Sequence, residues 1–236
     1  MFNSAKNLFK LTLVAALFVV TAAAASAQVN TSGTVTMSGT VSKFVELNSG
    51  GAVTLSGNSG GGVTTDGTAD SALAVVVNLG ELGPANSSSF VTASVPLKMR
   101  SNANYVLSLS ATVSSTGSTS EKIGAADIGF GIGSFTRSTA TGVNSTGNDS
   151  PATLGDPTLP ANGGVNASGR YQYAAGKSNL GAFSSSSSVL SGDRIMNAVP
   201  RTNTNGLTVP AIFSVKPQFY ETGTTTATAT FTIAAP

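Results

Sequence analysis

Apolar and hydroxyl-bearing side chains alternate one for one along much of this chain. In SGTVTMSGTVSKFVEL, residues 32–47, Val35, Met37, Val41, Val45 and Leu47 share one parity, and Thr34, Thr36, Ser38, Thr40 and Ser42 hold the other. A period of two sends successive side chains to opposite faces of a pleated strand, so the stretch predicts a half-buried β-strand. The pattern returns in Val91, Ala93, Val95, Leu97 and Met99, and again in Tyr105, Leu107, Leu109, Ala111 and Val113. Near the C-terminus it runs through Leu207, Val209, Ala211, Phe213 and Val215, then through Ala227, Ala229, Phe231 and Ile233. Strands with one dry and one wet face are those of antiparallel sheets packed face to face.

Other segments carry weaker signals. LAVVVNLG (73–80) is a continuous apolar run and predicts a strand covered on both sides; IGFGIGSF (128–135) spaces Ile128, Phe130 and Ile132 with glycines that leave room for a bulky neighbour. Pro96 and Pro210 interrupt two of the best strands and lack a ladder N–H, which predicts edge strands or bulges there. Between Arg137 and Gly206 the alternation fades into Gly, Asn, Ser and Pro, with short strands expected around 169–176 and 188–196. No amphipathic helix of useful length is predicted. The fold class is all-β, one domain over 28–236 with a loop-rich region at about 137–206.

The first residues read differently. Lys6 and Lys10, the apolar run LTLVAALFVVTAAAA (11–25) and the small-residue triplet Ala25-Ser26-Ala27 have the layout of a cleaved signal peptide spanning residues 1–27. The chain has 12 basic and 10 acidic residues, and without Lys6 and Lys10 the two signs balance. A neutral chain with no basic block lacks an electrostatic footprint for nucleic acid or anionic lipid, so neither is an expected partner. With no cysteine there is no disulfide framework, and stability has to come from sheet packing.

Histidine is absent as well, which removes the usual general base, the Ser/His/Asp relay, thiol chemistry and the common zinc ligands. No carboxylate sits in a recognisable acid/base pair, so neither catalysis nor a cofactor is expected. Asp66 and Asp70, and Asp149 and Asp156, lie in Gly- and Asn-rich loops. Such carboxylates ligate calcium or, more often, bond their own turn backbone. Arg170, Tyr171 and Tyr173 are candidate surface contacts for a sugar or a protein, with packing of the two tyrosines on one strand face as the competing reading. Lys43 stands on the apolar parity of the first strand, where a solvated strand end, snorkelling and a buried acceptor are the open alternatives.

SGTVTMSGTVSKFVEL resembles the first strand of pilins assembled by the chaperone/usher route. FYETGTTTATATFTI (219–233), VPLKMRSNANYVLSLSA (95–111) and IGFGI are similar to parts of spore-coat-U-like secreted domains. Unlike many such pilins, the chain has no cysteine pair. The resemblance implies an immunoglobulin-like sandwich exported to the periplasm or cell surface, a structural or adhesive protein that is fimbria-like. Its partners would be other copies or other surface proteins, joined by β-strand addition through Val35, Met37, Val41 and Val45. A monomeric extracellular module binding glycan or protein through the 137–206 loops is the alternative, and an outer-membrane β-barrel a further one. Residues 224–233 offer the first strand a partner inside its own chain, which favours pairing at home.

Overall fold

The computed structural model describes residues 36–57, 59–87, 89–138, 152–153, 164–165, 167–173, 177–197, 199–200, 202 and 204–236. The expected signal peptide, Val35, Asp149 and Asp156 lie outside the described residues. The chain divides into two units, Met1–Val41 and Ser42–Pro236. Of the first, residues 36–41 form no helix or strand and are exposed.

The second unit is all β. Its strands are β1 (Val45–Ser49), β2 (Thr54–Ser56), β3 (Gly62–Thr65), β4 (Val76–Asn78), β5 (Val91–Ser101), β6 (Tyr105–Ser115) and β7 (Ile128–Ile132). They continue with β8 (Thr136–Arg137), β9 (Ala152–Thr153), β10 (Gly164–Val165), β11 (Tyr171–Gln172), β12 (Ser187–Gly192), β13 (Leu207–Val215) and β14 (Thr225–Ala234). One sheet has the order β1-β5-β13-β7, with β2 also on β5 and β8 also on β13; the other has the order β14-β6-β12-β9. All pairings are antiparallel.

The alternation in β5 and β6 decides which faces meet. Leu97 and Met99 from one sheet and Leu107, Leu109, Val189 and Leu190 from the other are fully buried in a single core. Phe130 on β7 anchors an aromatic cluster, 5.1 Å from the Phe183 ring and 5.6 Å from Phe213. Truncating a buried phenylalanine such as Phe130 to alanine costs about 3–5 kcal/mol, lost transfer energy plus cavity.

Three expectations are corrected. The strand expected over 32–47 begins only at Val45; residues 36–44 are in no strand, and β1 pairs with β5, not with the C-terminal strand. The run 73–80 is strand only at β4, which pairs with β3 in a separate ribbon. Leu73, Val75, Val77 and Leu79 pack on the core while Val76 is 55% exposed, so one side is covered rather than two.

Pro96 and Pro210 are not on edge strands, because β5 and β13 are both central and the two prolines stand directly opposite each other. Their carbonyls point away from that pairing and accept from Gly50 N–H and Gly133 N–H, each at 2.8 Å. Gly50 lies between β1 and β2, and Gly133 between β7 and β8, so each proline faces a break in the outer strand where no ladder N–H is needed. Glycine fits there because a Cβ on Gly133 would lie 2.5 Å from the Pro210 ring.

Candidate functional site

β14 is built from threonines on one face and Ala227, Ala229, Phe231 and Ile233 on the other. Along its whole length it pairs with β6, from Thr225 opposite Ser115 to Ala234 opposite Val106. Among the described residues its other edge pairs with nothing. Tyr105, Leu107, Leu109 and Ala111 on the inner face of β6 are buried, yet Ala229, Phe231 and Ile233 pack on the core and remain only half-buried. Phe231 lies at the rim of the aromatic cluster, 6.2 Å from Phe130 and 6.5 Å from Phe213.

β1 is the corresponding edge of the other sheet, and its Val45 and Leu47 are also half-buried against the core. β1 and β14 are neighbours at this side of the domain. Among the described residues the outer edge of β14, at this seam, thus has no strand partner and stands beside apolar side chains short of full cover, which is what an added strand requires.

Of the four residues expected to enter such a groove, Val35 lies outside the described residues and the other three fall in different places. Met37 and Val41 are 90% and 88% exposed, whereas Val45 is the first residue of β1 and pairs with Ser101. Immediately before β1 the backbone is gripped by Asn102 in the β5–β6 turn. Asn102 Oδ1 accepts from Phe44 N–H at 2.6 Å, its Nδ2 donates to Ser42 C=O at 3.0 Å, and its own N–H donates to Phe44 C=O at 3.0 Å. Lys43 is on the surface, and its ammonium donates to the Pro236 carbonyl. Of the alternatives open for Lys43, the solvated one holds, at a position just outside β1.

The second candidate group is divided between core and surface. Tyr173 is 6% exposed and donates from its hydroxyl to Ser214 Oγ at 2.7 Å, which makes it a core residue. Burial pushes its hydroxyl up to about 12. The Arg170 side chain is mostly covered: its guanidinium pairs with Asp127, donates to the Ser120 and Lys122 carbonyls and lies 4.9 Å from the Tyr220 ring centre. Burial raises the Asp127 carboxyl above its usual range, against the lowering effect of the Gly124 N–H bond and of Arg170. Tyr171 alone reaches the surface, edge-on to Phe90 with the Lys216 ammonium 5.5 Å from its ring.

Of the two loop carboxylates described, Asp66 serves the backbone and Asp70 a side chain. Asp66 Oδ1 accepts from Val53 and Gly67 N–H groups, and Asp70 pairs with Lys98 at 2.8 Å. Among the described residues no group of three or more carboxylates is placed to hold a metal ion. A cleft of about 220 Å³ lies beside the Asn102 turn, lined by Phe44, Arg100, Asn102, Met196 and Val199, and the Arg100 guanidinium there pairs with Glu46 at 2.6 Å.

The reading of the sequence missed Asn102 and the Asp127–Arg170 pair. An asparagine in a hairpin turn is ordinary turn chemistry, and Asp127 and Arg170 are too far apart in the chain for spacing to connect them. Comparison with known proteins finds no family model, no curated protein and no solved structure that matches this chain.

Proposed function

We propose that this chain is an exported, immunoglobulin-like β-sandwich subunit that assembles on the cell surface by β-strand addition, in a structural or adhesive role without catalysis. The carrying observation is a mismatch within one chain. An alternating segment presents Met37 and Val41 to solvent, while among the described residues β14 keeps a free edge beside the half-buried Ala229, Phe231 and Ile233.

In this reading the segment before Ser42 of one copy lies along β14 of the next. Backbone hydrogen bonds supply affinity, and Val35, Met37 and Val41 fill the seam and set the register. Val45 stays at home as part of β1. Two open sheets sharing a side-chain core support a sandwich over an outer-membrane barrel, whose strands have to close into a ring. The exposed Phe219 and Tyr171 favour a second reading, a binding module that offers flat rings to a glycan.

Light scattering on residues 28–236 beside a chain starting at Ser42 tests the proposal. The longer chain is expected to form a size series, and the shorter one to remain monomeric and capture a synthetic peptide of residues 28–41. A longer chain that stays monomeric, with a shorter one that ignores the peptide, refutes strand addition and turns attention to Phe219 and Tyr171.

A further inference from the structure

A segment that joins two copies must leave its own domain at a defined point, or part of it is lost to the home sheet and the direction of the next copy is undefined. The residues before β1 meet this requirement in an unusual way. The β1–β5 ladder begins with Val45 opposite Ser101. One step further out, the strand partner is replaced by a side chain: Asn102 supplies both the acceptor for Phe44 N–H and the donor to Ser42 C=O, while its backbone N–H serves Phe44 C=O. An asparagine amide has one acceptor oxygen and two N–H donors on a planar group, so it can hold the N–H and C=O of an extended backbone at once.

Lys43 adds a second hold between these two residues, from its ammonium to the Pro236 carbonyl just beyond β14. The exit is thus tied to the β5–β6 turn and to the end of the strand with the open edge. Upstream of it, residues 36–41 are exposed.

We propose that Asn102, assisted by Lys43, is a positioning residue that sets where and in what direction the donor segment leaves its subunit. Residues up to Val41 are thereby given to the neighbour, and Ser42 onward are kept at home. This inference rests on the strand-addition reading. Its content is separate, because Asn102 acts on donation and leaves the accepting edge of β14 untouched.

The test uses the mature chain, residues 28–236, as wild type, Asn102→Ala and Asn102→Asp. Three quantities are read: amide exchange at Phe44, capture of the 28–41 peptide by each variant shortened to Ser42, and growth rate and subunit-to-subunit bend of the polymers by electron microscopy. Asn102→Ala is expected to speed Phe44 exchange by about tenfold, what losing a net hydrogen bond or two amounts to. Peptide capture should be unchanged, and the polymers should grow more slowly with a broader spread of bend angles. Asn102→Asp keeps the acceptor for Phe44 and loses the donor to Ser42, so it should restore Phe44 protection and only part of the bend. It also carries the comparison if the alanine variant does not fold.

Variant polymers with wild-type growth and wild-type bend overturn the positioning role, whatever happens to Phe44 exchange. A wild-type chain that forms no polymer overturns strand addition itself and this inference with it, a result seen without any variant.

Discussion

Phe231→Ala separates a strand that already completes the core from one that awaits cover. Phe231 lies on the inner face of β14 and reaches Phe130 and Phe213 at 6.2 and 6.5 Å between ring centres, yet it is not fully buried. A fully buried phenylalanine costs about 3–5 kcal/mol on truncation, so the largely but not fully covered Phe231 should lose less, about 2–3 kcal/mol for Phe231→Ala. Phe130→Ala, at a ring with no exposure, should show the full cost. If an added strand covers the part of Phe231 still open to solvent, the variant also forfeits transfer energy on binding, about 1 kcal/mol. That weakens capture of the 28–41 peptide by roughly fivefold. Urea unfolding of the chain starting at Ser42 reads the first quantity, and peptide titration by fluorescence anisotropy reads the second. Equal losses for Phe231→Ala and Phe130→Ala would show the inner face of β14 to be already closed. Undiminished peptide affinity would show that no strand covers it. Either result refutes the reasoning.

Further predictions concern the frame around this edge. Glu221 accepts from Ser118 N–H at 3.0 Å and from Thr119 N–H at 2.8 Å, which lowers its carboxyl from the ordinary 4.5 to about 2. A depressed carboxylate stabilises the fold above its unfolded pKa and loses that contribution as pH falls. The stability difference between wild type and Glu221→Gln should therefore be flat above about pH 5 and shrink between about 4.5 and 2, as measured by unfolding across that range. Gly133→Ala puts a Cβ 2.5 Å from the Pro210 ring in the centre of a sheet, and should destabilise by about 1–3 kcal/mol in urea unfolding. A neutral result would mean that the β7–β8 break gives way easily.

Much of the frame was legible because strand alternation is a local property. β5, β6, β13 and β14 occur where apolar and hydroxyl side chains alternate, and the fading of that pattern after Arg137 gives way to short pieces such as β11 and β12. Around the candidate site the sequence is a weaker guide: parity marks Met37 and Val41 as apolar positions, and the same parity predicts a home strand across residues 36–44 that the fold does not form. Alternation records that a side-chain row suits a groove and is silent on whose groove it is. Tyr171 and Tyr173 likewise share a parity, and only the packing of the neighbouring loops buries one and leaves the other at the surface.

The sequence by itself determined the all-β class, the dry and wet faces of the long strands, and the absence of histidine and cysteine chemistry. These follow from residue type and a two-residue period, which need no knowledge of neighbours. Tertiary structure decided which strands are central, why Pro96 and Pro210 are tolerated there, and that Asn102 holds the backbone at Ser42 and Phe44 just before β1. Each of these depends on what stands opposite a residue across a sheet or turn, and long-range pairing places there groups distant along the chain.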